Sequence, residues 1–130
     1  MAELKVGLKG EASVEVVFEN TAAAVGSGAL EVFGTPSMIG LMEKAALQSV
    51  QPYLDEGQGT VGLHLEIDHL AATPIGMTVR AESELEKVDG RMLYFKVWAY
   101  AGDELIGRGK HHRCIVYNDR FLAKAMAKLK

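Results

Sequence analysis

The sequence has little cysteine and proline and no long apolar run, and each shortage excludes a class of protein. Its single cysteine, Cys114, cannot form an internal disulfide or a CxxC metal clip. No apolar run approaches the roughly 18 residues that a membrane-spanning helix needs, and the first residues lack the apolar core of a secretory signal. A net charge of -3 argues against a nucleic-acid-binding surface. We expect a soluble, cytoplasmic protein without nucleic-acid or membrane partners.

Only three prolines are present, and no stretch rich in Pro, Gly or Ser divides the chain. A length of 130 residues is ordinary for one domain and sufficient for a buried core. We therefore expect a single domain over residues 1–130.

A long helix is predicted from residue 36 to about residue 54. Thr35 is a candidate N-cap, and a proline follows in the first turn. The polar stripe of this helix is narrow, so most of its surface should be buried. The stripe consists of Lys44, Gln48 and Gln51.

Strands are predicted on both sides of this helix. The run ASVEVVFE, residues 12–19, is typical of a strand, and TAAAVGSGAL, residues 21–30, of a mobile loop. Four long β-like runs follow the helix, and the turn segments ATPIG, DGR and AGD separate them, which predicts an antiparallel meander. Strands of this length could run beside the whole helix. We expect an α+β fold in which a curved antiparallel sheet wraps one long central helix, and NDRFLAKAMAKLK adds a short amphipathic C-terminal helix.

Three residues could perform acyl-transfer chemistry together. His69 ends an alternating apolar row in the first strand after the helix, Glu43 lies among apolar neighbours on the helix, and Thr35 stands at the helix start. Each also has an ordinary explanation: a satisfied core histidine, a flanking glutamate and a plain N-cap. A hydroxyl, an imidazole and a carboxylate near free helix N–H groups are nevertheless the parts that acyl transfer uses.

Other chemistries have weaker support. His111 and His112 are adjacent on a strand and should face opposite sides, which is poor metal geometry, so we predict no metal. The sequence contains no GxSxG elbow and no P-loop. Arg113 could hold a phosphate of a cofactor-like substrate, or it could be a solvated strand arginine.

Residues 31–82 resemble the fluoroacetyl-CoA thioesterase type of hotdog-fold thioesterase. The likeness extends over about residues 7–121, and its densest matches are EVFxT, IGLMExA, PYL and HLAATPxGMTV. The joint spacing of these motifs is far more specific than any one of them. The resemblance implies a hotdog fold, normally dimeric, with each active site at the subunit interface.

The resemblance also implies roles for particular residues. The catalytic threonine, glutamate and histidine of the family fall on Thr35, Glu43 and His69, and a glycine near the substrate carbonyl falls on Gly62. Where the fluoroacetyl enzyme has aromatic lid residues, this chain has small ones, so another acyl group is expected. These small residues are Gly26 and Ala29.

The resulting hypothesis is hydrolysis of a short or medium acyl-CoA thioester by a homodimer, with no metal or redox cofactor. Either Thr35 attacks the carbonyl, or Glu43 and His69 activate a water that does. The alternatives are a non-catalytic acyl-CoA binder or sensor and an enoyl-CoA hydratase of the hotdog type. A hydratase would use an aspartate with a histidine, but Asp68 should face away from its neighbour His69.

Overall fold

The computed structural model describes residues 3–129. Within this range the chain forms five strands and three α-helices. In chain order they are β1 (Lys9–Glu15), α1 (Ala22–Val25), α2 (Thr35–Val50), β2 (Gln58–His69), β3 (Thr78–Asp89), β4 (Met92–Ala101), β5 (Glu104–Tyr117) and α3 (Asn118–Met126). Two short 3₁₀ turns, Phe18–Asn20 and Gln51–Tyr53, follow β1 and α2.

All five strands belong to one antiparallel sheet with the order β1-β3-β4-β5-β2. The predicted meander is correct for β3, β4 and β5, which pair in succession. It is wrong for β2, which pairs with β5 at the far edge instead of with β3. The ATPIG segment is therefore a connection between distant strands and not a hairpin. Turn chemistry sets where a chain reverses, whereas the strand that becomes the pairing partner depends on contacts across the whole sheet.

Helix α2 packs across one face of the sheet, and the two surfaces form the core. The buried side chains alternate along β3 and β4, as a sheet with one covered face requires. The core includes Met38, Met42, Ala45, Ala46, Val79, Ala81, Leu85, Leu93, Phe95 and Val97. A Cβ at Gly10 would collide with the Ala45 carbonyl oxygen, so glycine in β1 allows the helix to lie close to that strand.

The predicted long helix is confirmed, with two differences at its ends. Its N-cap is Gly34, and Thr35 is already the first helical residue. The α-helix ends at Val50, and a 3₁₀ turn containing Pro52 continues the chain to Tyr53. Gln51 still has helical backbone angles, but Pro52 has no N–H to donate the next helical hydrogen bond, which explains the early end.

The region before α2 differs more from its prediction. The first strand is Lys9–Glu15 and not residues 12–19, and the expected loop over residues 21–30 begins with the short helix α1. The Thr21 hydroxyl caps this helix by accepting a hydrogen bond from the Ala24 amide at 3.2 Å. Gly26 ends it with a φ of 80°, a conformation that glycine adopts without strain.

Strand β2 is an open edge of the sheet and carries exposed apolar side chains. The alternating row predicted to face the core is Val61, Leu63, Leu65, Ile67 and His69. Leu63 is 58% exposed and Leu65 is 38% exposed, so the prediction is wrong in the middle of the row. The pairing with β5 skips Leu63, which is the extra residue of a β-bulge and is displaced from the regular alternation.

The C-terminal helix α3 forms as predicted, but no other element within residues 3–129 covers its apolar side in the single chain. Its N-cap is Tyr117 and not Asn118, and it makes no side-chain cap hydrogen bond. The apolar side chains are exposed, among them Phe121, Leu122 and Met126. Over residues 3–129, no helix combines the length and the apolar character that crossing a bilayer requires.

Candidate active site

Thr35 and His69 form a hydrogen-bonded pair at the start of α2. The distance between Thr35 Oγ1 and His69 Nδ1 is 2.7 Å. Thr35 belongs to the first turn of the helix, and His69 is the last residue of β2, so the two elements bring together residues 34 positions apart. The N-cap interpretation of Thr35 is therefore wrong, because its hydroxyl contacts the imidazole and not the helix backbone.

The His69 ring is kept neutral by its surroundings. Burial lowers its pKa below the ordinary value, and the nearby Ala71 backbone offsets part of this effect. When Nδ1 accepts the Thr35 proton, the ring hydrogen must be on Nε2. Nε2 is buried and makes no hydrogen bond of normal geometry with residues 3–129. The ring is thus in the state that a general base requires at neutral pH.

An open cleft of about 380 Å³ gives solvent access to the pair. This volume is within the usual range for sites that bind small molecules. Apart from Thr35, His69 and Ser27, its lining is apolar and mostly small: Ala22, Val32, Phe33, Leu70, Ala71 and Ala72. A polar reacting group could therefore meet the hydroxyl while an apolar substituent lies against the remaining walls.

The two predicted lid residues lie beside this cleft and do not line it. Gly26 follows α1, and a Cβ built there would contact nothing within 4 Å. Ala29 is exposed. The loop that contains both reaches the cleft through Ser27. This side of the cleft therefore lacks a large side chain from either predicted lid position.

Glu43 lies apart from the Thr35 and His69 pair within one chain. Eight residues separate Glu43 from Thr35 along α2, which corresponds to about 12 Å along the helix axis. Its side chain is 38% exposed, and Oε2 is 3.4 Å from Arg113 Nη1. Glu43 is not among the residues that line the cleft. The structure thus brings together two of the three predicted residues in a single copy of the chain.

Gly62 on β2 lies close to the Glu43 carboxylate. A Cβ at Gly62 would lie 2.5 Å from Glu43 Oε2 and 3.2 Å from His111 Cε1. A side chain here would displace the carboxylate, so glycine is required for the close approach of strand and acid. Gly62, Glu43 and Arg113 therefore form a second polar cluster, separate from the Thr35 and His69 pair, which we call the second position.

Arg113 is a buried anchor and not a solvated strand residue. It is 6% exposed, and burial lowers its pKa although the Glu43 carboxylate opposes the effect. Nε donates to Thr60 Oγ1 at 2.8 Å, and Nη2 donates to the Thr60 carbonyl at 3.0 Å. Because four of its five N–H donors are directed at groups of the protein itself, the geometry gives no support to a role for Arg113 in holding a phosphate.

His111 also belongs to this second position, and the sequence-based prediction did not assign it a role. His111 and Arg113 are two residues apart on β5 and therefore share a face, which was the available indication. His112 faces the other side, where its ring stacks on His64 and contacts Tyr94, both at 4.6 Å between centroids. Among residues 3–129, no group of three or more His, Cys, Asp or Glu side chains has metal-binding geometry.

Comparison with known proteins identifies the family. Residues 16–119 match the family described as fluoroacetyl-CoA-specific thioesterase. The fluoroacetyl-CoA thioesterase of Streptantibioticus cattleyicolor is 43% identical over 98 residues, which cover 75% of this chain and 70% of that protein. A crystal structure of a point mutant of the fluoroacetyl-CoA-specific thioesterase has a TM-score of 0.92 at 35% identity and covers 98% of this chain and 99% of that chain.

The fold has a more distant counterpart as well. A hot-dog-like protein from Thermanaerovibrio acidaminovorans has a TM-score of 0.85 at 22% identity, with 96% of this chain and 93% of that chain covered. The predicted α+β hotdog fold is thereby confirmed. The agreement in sequence and structure shows that this chain belongs to the fluoroacetyl-CoA-specific thioesterase family of hotdog proteins.

Proposed function

We propose that this protein hydrolyses a short or medium acyl-CoA thioester to the free acid and coenzyme A, without a metal or redox cofactor. Thioester hydrolysis is the activity for which its family is named. The observation that carries the proposal is the 2.7 Å hydrogen bond between Thr35 and His69 inside an open cleft. A hydroxyl paired with a neutral imidazole is the arrangement from which acyl transfer begins.

The pair supports two routes to the same products. In one, Thr35 Oγ1 attacks the thioester carbonyl while His69 takes the hydroxyl proton and then gives it to the departing sulfur. Water next cleaves the acyl-threonine ester. In the other, His69 and Glu43 activate a water that attacks directly. In both routes the free N–H groups in the first turn of α2 can stabilise the negative oxygen.

The acyl group is inferred from the small side chains around the cleft. The apolar lining accepts a carbon chain, and Gly26 and Ala29 leave the adjacent loop without bulk. The matched relative is named for fluoroacetyl-CoA. At the positions where the resemblance places the aromatic lid of the fluoroacetyl enzyme, this chain has small residues. This difference favours a substrate that is larger than fluoroacetyl and is not selected for fluorine.

We further propose that the active form is a homodimer in the cytoplasm. Strand β2 leaves one edge of the sheet open over 12 residues, and Leu63 and Leu65 are exposed beside it. An open edge with apolar side chains is a surface that a second copy can pair with and cover. Such pairing would place Glu43 of a second copy near the Thr35 and His69 pair, which a single chain does not achieve. The single cysteine agrees with a reducing compartment.

Replacing Leu65 with aspartate is expected to produce a monomer. The change introduces a charge from each subunit into an apolar two-fold interface, where burial of unpaired like charges is costly. Light scattering coupled to size exclusion gives the mass directly. The matched control is Val88→Asp on β3, since Val88 and Leu65 are both 38% exposed. A dimer that persists in Leu65→Asp, or is lost equally in Val88→Asp, contradicts pairing through β2.

A panel of acyl-CoAs mixed with a thiol-detecting reagent tests the function. We expect release of free coenzyme A, fastest for acyl groups that fill the apolar cleft. A non-catalytic binder would retain the ligand and release no thiol. A hydratase would consume an enoyl-CoA without releasing thiol, but Asp68 lines a different cleft on the outer face of the sheet. No thiol release from any member of the panel would reject the proposal.

A further inference from the structure

A buried chain of hydrogen bonds connects Glu43 to the backbone of β2. Arg113 Nη1 carries two hydrogens. One is donated to His111 Nε2 at 3.0 Å, and the other is directed at Glu43 Oε2 at 3.4 Å. The opposite side of the guanidinium is fixed by Thr60 on β2. The position of Arg113 beside Glu43 is therefore set by the groups that hold it.

The charge state of His111 follows from these partners. Arginine has no acceptor, so His111 Nε2 must accept and its hydrogen must be on Nδ1. Nδ1 then donates to the His64 carbonyl at 2.9 Å. The ring is fully buried, and burial lowers its pKa; the hydrogen bond to the His64 carbonyl and the Glu43 charge oppose this effect, whereas the Arg113 and His112 charges add to it. The 3.9 Å contact between His111 and Glu43 is consequently not an ion pair.

The same ring reaches the backbone beside Gly62. The His64 carbonyl follows directly after the bulge at which the β2 register shifts between Gly62 and His64. Glu43 accepts no hydrogen bond from residues 3–129 other than the one from Arg113. Its second oxygen is thus unpaired, on a side chain that is 38% exposed. One buried ring contacts both the group that holds the acid and the strand that borders it.

We propose that His111 is a positioning residue which, through Arg113, fixes the Glu43 carboxylate against Gly62 and leaves one carboxylate oxygen free for water or substrate. This inference rests on the proposed thioesterase function. An apolar residue of similar size would fill the same space, and the Phe95 ring already lies beside the His111 ring, with centroids 6.2 Å apart and planes inclined by 28°. The polar ring is needed for orientation, because a buried histidine that only filled space would leave two nitrogens to be satisfied.

Replacing His111 with phenylalanine is expected to lower kcat by about 10–100-fold with little change in KM, since misplacing a catalytic group by about 1 Å costs rates of this order. His111→Gln should recover part of the loss, because an amide can both accept from Arg113 and donate to the His64 carbonyl. The matched control is His112→Phe, one residue along the same strand and on the outer face. It should keep the wild-type kcat.

A double substitution separates positioning from a structural role. In a Glu43→Gln background, His111→Phe should cause no further fall in kcat, because its effect passes through the carboxylate. An equal loss in both backgrounds would overturn the proposal. If the phenylalanine variant does not fold, Thr60→Val removes an anchor of Arg113 elsewhere, and it must also lower kcat without raising KM. Unchanged turnover in Thr60→Val would then overturn the proposal.

Failure of the inference is distinguishable from failure of the function. If the wild-type protein releases no thiol from any acyl-CoA, the thioesterase proposal fails. Nitrogen-15 NMR of the ring still reports on His111, because the proposed network requires a neutral imidazole with its hydrogen on Nδ1 at pH ~6.5. A charged ring or the other tautomer at that pH would reject the network irrespective of activity.

Discussion

The His69→Ala protein is expected to turn over acyl-CoA about 10²–10⁴-fold more slowly than wild type while remaining folded. The Thr35 hydroxyl is a weak nucleophile near neutral pH and needs a base to take its proton. His69 Nδ1 is the group in hydrogen-bond contact with that hydroxyl, at 2.7 Å. Initial rates with the best substrate of the panel measure the effect, and circular dichroism checks the fold. The outer-face variant His112→Ala serves as control. Unchanged hydrolysis by His69→Ala would remove this residue from the mechanism.

The pH profile of the wild-type enzyme gives an independent check on the same base. Only the neutral imidazole can accept the proton, so activity should fall as the pH drops through the pKa of His69. Burial lowers this pKa from its ordinary value of 6.5, and therefore the acid limb of kcat/KM should lie below pH 6.5. The limb should disappear in the residual activity of His69→Ala. A limb above pH 6.5 that persists in the variant would assign the titration to another group.

Local pattern is enough to select Thr35 and His69 as candidate partners, but it does not determine the hydrogen bond between them. Thr35 precedes a proline at the start of an apolar helix, and His69 ends an alternating row, so both positions follow from period and turn chemistry. Their hydrogen bond depends on where β2 lies relative to α2. The turn segment after β2 indicated a reversal and could not name β5 as the partner, because strand order depends on contacts across the whole sheet.

The second position shows a different limit of sequence-based prediction. Alternation along β5 places His111 and Arg113 on one face, yet an arginine in an exposed strand and a buried one have the same local pattern. Burial of Arg113 is possible because Glu43 and Thr60, 70 and 53 residues away in sequence, supply its partners. Charged groups are buried only when they are paired, and such pairing belongs to the tertiary structure. The family resemblance assigned Glu43 a role without revealing this support.

Mixing two defective proteins should restore activity if the site is shared between subunits. Thr35→Ala removes the hydroxyl half of the site and Glu43→Gln removes the carboxylate half, and each alone should lower kcat by roughly 10²-fold or more. Random exchange makes about half of the dimers mixed, and each mixed dimer has one complete site, so the mixture should reach about a quarter of the wild-type rate. The variants are unfolded together and refolded, and the thiol assay follows the recovery.

The matched control for this complementation is a mixture of Thr35→Ala with His69→Ala. Those two residues are hydrogen bonded within one chain. In a mixed dimer each subunit therefore lacks one member of its own pair, and neither site is complete. No recovery is expected from this mixture. If Thr35→Ala with Glu43→Gln also shows only the average of its parents, Glu43 does not act on a second copy's cleft. The 12 Å that separates Thr35 from Glu43 along α2 would then have to be bridged within one chain by water or substrate.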